Sequence, residues 1–184
     1  MKIFYATSGE RKFDEIKDLI PEQLEIKQIS SDYPEIQADD TDDVALFGAE
    51  WLAKKLNKAV FVDDMGMFID ALDGFPGPFT KQACKKIKPE GILRLLEGIK
   101  DRKAFFKVSL GFCEPGKKPV VFSGIRKGRI SEKIISGPSD IGLNSVFIPE
   151  GCEKTLAQFS FEEKLKDEPR RTAFKKLVSS LKML

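Results

Sequence analysis

A mixed α/β sheet flanked by helices is the fold class this sequence predicts. Three observations carry it. The chain opens strand, tight turn, helix; a long hairpin fills its middle; and a short strand leads to a closing amphipathic helix.

Each element follows from local pattern. Lys2-Thr7 is an apolar run read as a buried strand, and Ser8-Gly9 is a turn. Phe13, Ile16, Leu19 and Ile20 recur at helical spacing, which predicts a helix over Arg11-Ile20 that Pro21 ends. Leu24-Ile29 reads as a second strand. The acidic stretch Ala38-Asp43 is a turn whose Asp40 or Thr41 caps a helix over Val44-Leu56, with its acids near the positive N-terminal dipole. Ala59-Asp63 is so apolar that it reads as a central strand. Phe75-Pro76-Gly77-Pro78 is a rigid loop, followed by two short helices around Lys81-Ile87 and Pro89-Leu96. Lys103-Phe112 and Val120-Ile130 flank Glu114-Pro115-Gly116 as a hairpin. Val146-Ile148 is a short strand. Glu168-Leu184 is a helix with Pro169 in its first turn and Ala173, Phe174, Leu177, Val178 and Leu181 on one face. No repeat and no Pro/Gly/Ser linker divides the chain, so residues 1–184 are expected to form a single domain.

Composition narrows the chemistry. The 184 residues hold 31 Lys+Arg against 29 Asp+Glu, a formal charge of +2. That balance predicts no nucleic-acid partner, and the cluster Arg126-Lys127-Gly128-Arg129 reads as hairpin surface. Histidine is absent, which removes Ser-His-Asp and Cys-His catalysis and His-ligated zinc. Carboxylates, lysine, arginine or a hard metal must do any chemistry. The three cysteines, Cys84, Cys113 and Cys152, are odd in number and widely spaced, so free thiols and a cytoplasmic location are expected. No apolar run approaches the roughly 18 residues of a membrane span, and no leader pattern is visible.

Four segments could carry function. Thr7-Ser8-Gly9-Glu10-Arg11-Lys12 joins a strand to a helix, and helix N-termini collect anions, with Lys12 able to reach the same ligand; read blandly, it is only a turn. Asp63-Asp64 at the end of an apolar strand is costly to bury unless paired or bound to a cation, and carboxylates suit Mg²⁺; a turn cap is the alternative. Lys164, Arg170 and Arg171 could close over an anion or form a solvated basic face. Ile141-Gly142-Leu143-Asn144 offers an Asn that could read a base edge or make a turn.

In this order the segments resemble the inosine triphosphate pyrophosphatase family over nearly the whole chain. Thr7 to Lys12 is similar to its T-G-N-x-x-K, followed by a glutamate at Glu15. Tyr33-Pro34-Glu35-Ile36-Gln37 matches P-E-[IY]-Q, and Asp63-Asp64-Met65-Gly66 matches [ED]-D-S-G. The most specific match is Ala71-Leu72-Asp73-Gly74-Phe75-Pro76-Gly77-Pro78-Phe79 to A-L-x-G-x-P-G-x-[YF]. Glu162-Glu163-Lys164 and Arg170-Arg171-Thr172-Ala173-Phe174 fit the C-terminal segments. The resemblance implies an elongated mixed sheet with two lobes and a central cleft, and a homodimer. It implies hydrolysis of a nucleoside triphosphate, usually a deaminated purine, to monophosphate and pyrophosphate with Mg²⁺. Glu35 and Asp64 would hold the metal, Asp64 would orient or deprotonate water, and Lys12 would neutralise phosphate charge. Thr7 to Lys12, Met65, Ile141 to Asn144, Lys164, Pro169 and Arg170 would contact substrate, Arg170 at the purine's carbonyl edge.

Four positions depart from the family pattern. Gly9 stands for Asn, Met65 for Ser, Ile141-Gly142-Leu143-Asn144 for F-G-[YW]-D, and Glu168-Pro169-Arg170 for S-H-R. The phosphate and metal residues are kept while base contacts change. Two readings fit this: a pyrophosphatase with altered base choice, and a paralogue that binds nucleotides without turning them over.

Overall fold

The computed structural model describes residues 2–181. Strand β1 (Lys2–Ala6) leads to α1 (Glu10–Asp14), a 3-10 turn (Lys17–Leu19) and β2 (Glu25–Ile29). Then come α2 (Thr41–Leu56), β3 (Val60–Ile69), β4 (Pro76–Gly77), α3 (Thr80–Lys86) and α4 (Lys88–Leu95). The hairpin strands β5 (Lys103–Cys113) and β6 (Val120–Ile130), the short β7 (Phe147–Pro149), α5 (Phe161–Leu165) and α6 (Pro169–Leu181) complete the order. The last three residues of the helix expected over Glu168-Leu184 lie outside the described residues.

Among the described residues the strands form one seven-stranded mixed sheet in the order β2-β1-β3-β5-β6-β7, with β4 on β3. β1 runs parallel to β2 and β3, whereas β3–β4 and β6–β7 are antiparallel. The predicted α/β class with flanking helices holds.

By contact the chain gathers into two compact units. The first holds the described residues up to Asp64, Val108–Gly124 and those from Glu168 on; the second holds Met65–Lys107 and Ile125–Asp167. In the first unit the sheet is covered on both faces. Ile3, Tyr5, Phe61, Val108, Leu110 and Phe112 pack with Phe174, Leu177 and Val178 of α6. Ala6, Val60 and Val62 pack with Ala45, Ala49, Leu52 and Ala53 of α2. Successive β3 residues thus face opposite apolar layers, which is why Val60-Phe61-Val62 is continuously apolar rather than alternating. Two glycines admit close approach. A Cβ on Gly111 of β5 would lie 2.0 Å from the Ala45 carbonyl oxygen of α2. A Cβ on Gly124 of β6 would lie 2.0 Å from the Pro169 carbonyl oxygen at the start of α6. The core of the second unit joins Met67, Ile69, Ile92, Leu96, Phe106, Ile130, Phe147 and Leu156.

Three local expectations change. The helix over Arg11-Ile20 shrinks to five α-helical residues and a 3-10 turn. The tightening, with Ile16 N–H bonded to the Phe13 carbonyl, puts Ile16 fully inside the core. The strand expected to stop at Asp63 runs on to Ile69. Gly66 lets β4 approach it, since a Cβ there would sit 2.5 Å from the Gly77 carbonyl oxygen, and Met67 and Ile69 are fully buried. Asp63 and Asp64 therefore lie inside a strand rather than at its end. Finally, α5 was not expected, although Ser160 and Glu163 form a capping box at its start.

Candidate active site

The first unit holds most of the expected phosphate and metal residues. Thr7 follows β1 nearly buried, and its hydroxyl accepts the Gly9 N–H at 3.2 Å, which shapes the turn. Ser8, Glu10 and Arg11 are exposed. With only five residues in α1, the helix dipole expected to attract an anion is small. Of the two cations in this segment, Arg11 lies near Glu15 and Lys12 turns to Asp63. The Lys12 ammonium donates to Asp63 Oδ2 at 3.0 Å and Oδ1 at 3.2 Å, and its side chain remains 42% exposed.

Asp63 is the hub of a buried network. The Tyr5 hydroxyl, on the neighbouring strand, donates to Oδ1 at 2.8 Å. Arg170 of α6 donates from Nη2 at 2.9 Å and from Nε at 3.3 Å to Oδ2. Arg170 Nη1 donates to Glu15, whose other carboxylate oxygen lies 3.6 Å from Arg11 Nε. Tyr5 is fully buried and stacked on Phe61, with centroids 4.3 Å apart at 13°. Burial alone would raise the Asp63 carboxyl, but Arg170, then Lys12 and the Tyr5 hydroxyl, hold it well below the ordinary carboxylate range. Burial pushes the Glu15 carboxyl up, and Arg170 recovers part of that shift. Burial pushes the Tyr5 phenol up, and the Asp63 charge adds to it.

Asp64, next along β3, is half-buried, and Glu35 is exposed. Both bear on Tyr33. Burial raises the Tyr33 phenol most, followed by the charges of Asp63, Glu35 and Asp64. Its ring rests on α2 at Gly48, where a Cβ would lie 2.6 Å from the ring edge. The Mg²⁺ expected at Glu35 and Asp64 would meet oxygen donors of suitable chemistry there. Two hard carboxylates are what Mg²⁺ takes when phosphate oxygens and waters supply the rest of its shell. Among the described residues no group of three or more candidate metal-ligating side chains exists, so these residues alone form no closed metal cage.

Pro169 and Arg170 are buried at the start of α6. The guanidinium expected to read a purine edge is only 3% exposed, and Nε, Nη1 and Nη2 all donate to Asp63 and Glu15. Arg171 does not join it: it pairs with Asp18 on the surface and donates to the Glu15 carbonyl oxygen.

The remaining expected residues belong to the second unit. Met65 is 41% and Ile141 59% exposed. Gly142 takes φ +62. Leu143 is in the core rather than presenting a face to a base. Asn144 Nδ2 donates to the Ser139 carbonyl oxygen at 3.0 Å, which is the turn-making role. Lys164, 4% exposed on α5, donates to the same carbonyl oxygen at 3.2 Å. The 139–144 loop and α5 thus share one acceptor. In the basic cluster of β6, Arg126 is buried and donates to Asp167 Oδ1 and the Lys164 carbonyl oxygen, each at 2.6 Å.

Tyr5 and Glu15 were not named as site residues from sequence, and Asp63 was weighed only as part of an acidic pair. Glu15 had a signal in its place after Lys12. Tyr5 had none, because in Ile3-Phe4-Tyr5-Ala6 it reads as core.

The sequence matches the Ham1 family over residues 3–180. It is 41% identical over 179 residues to a Methanopyrus kandleri protein named dITP/XTP pyrophosphatase, covering 97% of this chain and 95% of that one. A Pyrococcus horikoshii protein of the same name is 41% identical over 184 residues, covering 100% and 98%. Among solved structures, the Staphylococcus aureus Ham1 protein superposes with a TM-score of 0.86 at 26% identity, covering 99% of this chain and 98% of that one.

Proposed function

Because the chain belongs to the Ham1 family, we propose that it hydrolyses deaminated purine nucleoside triphosphates, dITP and XTP, to the monophosphate and pyrophosphate. The observation that carries this reading is 41% identity, over essentially the full length of both chains, to proteins named for that activity. The first unit supplies matching chemistry: the Lys12 ammonium, on a half-exposed side chain, is paired with Asp63, and two further carboxylates, Glu35 and Asp64, belong to the same unit.

In this reading the Thr7–Lys12 turn receives the triphosphate. Glu35 and Asp64 would hold Mg²⁺, which when bound would neutralise phosphate charge and polarise the attacked bond. Asp64 orients the attacking water and accepts its proton. Lys12 stabilises charge as the bond to the α-phosphorus breaks. On the nucleoside side, exposed Met65 and Ile141 offer apolar surface where the family has a serine and an aromatic. A homodimer, from the family resemblance, a cytoplasmic location, from the three unpaired cysteines, and a single domain over residues 1–184, from the lack of a linker, belong to the same reading.

The test is pyrophosphate release from dITP, XTP, dATP, dGTP and GTP, with Mg²⁺ and with excess chelator. We expect kcat/KM for dITP and XTP at least tenfold above that for the ordinary purines, and loss of turnover with chelator. Asp64→Asn is expected to lower kcat by about 100-fold or more, the usual weight of a general base. If no triphosphate turns over, or Asp64→Asn matches the parent, the function is wrong.

A further inference from the structure

Asp63 and Asp64 are adjacent acids with different surroundings, and the difference assigns them different work. A carboxylate has about four lone-pair sites. At Asp63 they are in use: Oδ1 accepts from Tyr5 and Lys12, and Oδ2 from Lys12 and twice from Arg170. A metal could bind there only by displacing a buried donor. The side chain is 1% exposed, whereas Lys12 beside it is 42% exposed.

We propose that Asp63 is a positioning residue that, fixed from behind by Tyr5 and Arg170, holds the Lys12 ammonium in place for the substrate's phosphates. A lysine is a point charge on four rotatable carbons, and free in solvent it samples many rotamers. An ammonium has three N–H groups. Those not turned to the carboxylate remain available at the exposed side. The anchor is rigid because each donor is itself held. Tyr5 is clamped by its stack on Phe61. Arg170 is gripped at its other end by Glu15, so its guanidinium spans two acids from different elements. The carboxylate therefore fixes where positive charge stands before any ligand arrives, which is the preorganisation that electrostatic catalysis requires.

This inference rests on the proposed function and extends it to residues that touch no substrate. A double-mutant cycle tests it, because a residue acting only through Lys12 loses its effect once Lys12 is gone. Asp63→Asn, Tyr5→Phe and Lys12→Met are made in the full chain, with the doubles Asp63→Asn/Lys12→Met and Tyr5→Phe/Lys12→Met. Tyr5→Phe keeps the ring stack and covers the case in which Asp63→Asn fails to fold. Expected values for kcat/KM on dITP are a loss of at least tenfold for Asp63→Asn and threefold to tenfold for Tyr5→Phe. Each double is expected within threefold of Lys12→Met alone. A merely structural role would multiply the losses in the doubles, and that result overturns the proposal. Binding of inorganic tripolyphosphate, measured by calorimetry without metal on the same proteins, is expected to show the same non-additive pattern. A parent that binds tripolyphosphate but turns over no nucleotide defeats the function alone. Binding losses that multiply, or singles that bind like the parent, defeat the positioning role.

Discussion

The ion network around Asp63 ties pH to stability through two acids shifted in opposite directions. The Asp63 carboxyl lies well below its ordinary value because Arg170 and Lys12 outweigh its burial. Its contribution is therefore present above the unfolded value of about 4 and is lost as pH falls from there toward the folded one. Glu15 is raised by burial, so it works the other way and costs stability once pH rises through its folded value. The expected outcome is a urea midpoint that falls steeply as pH drops below about 4. In Asp63→Asn that acid limb is expected to flatten, and an unchanged limb would count against Asp63 as its source. Only part of this network was legible in the sequence. Lys12, Glu35 and Asp64 stand out as charges beside a turn or an apolar run. Tyr5 does not, because its partner is 58 positions away and its own neighbours are apolar. The Arg170–Glu15 pair joins positions 155 apart. Sequence shows that both are charged, and only the fold shows that each neutralises the other. Leu143 and Asn144 were legible as a segment but not as roles, since whether a side chain faces core or solvent depends on what packs over the loop.

Elements with strong periodicity came through with small changes at their ends. α2 was expected at Val44-Leu56 with Asp40 or Thr41 as cap. The helix begins at Thr41, and Asp40 is its N-cap, accepting the Asp42 N–H at 2.8 Å. Asp42 then accepts the hydroxyls of Ser109 at 2.5 Å and Ser123 at 2.6 Å, tying the helix start to β5 and β6. Removing the cap with Asp40→Ala should cost about 1 kcal/mol of stability in urea unfolding. A change near zero would show that the Asp42 contacts alone fix the helix start. The misjudged elements share a cause: local pattern was overruled by approach of a distant segment. β3 outruns its expected end because β4 docks at Gly66, and α1 is cut short because Ile16 must enter the core. α5 was missed because five residues are too few to show periodicity, even with the Ser160–Glu163 capping box in plain sight.

At the scale of the molecule, three strands contribute residues to both compact units. β3 divides after Asp64, β5 before Val108 and β6 after Gly124. A unit that unfolded alone would have to break these strands in mid-course. Calorimetry is therefore expected to give one transition whose van't Hoff and calorimetric enthalpies agree. Two resolved transitions would refute the single domain. The contact of Gly124 with Pro169 bears on heredity as well as packing. Gly124 carries no charge and lies in an ordinary-looking strand, yet its thinness is the shim on which the first turn of α6 is seated. The next residue along that turn is Arg170. Thickening the shim by even one methyl group would jack up the guanidinium's mounting, so a substitution that looks innocuous in a gene would reach the Asp63–Lys12 pair from a distance, through the side chains stacked behind it.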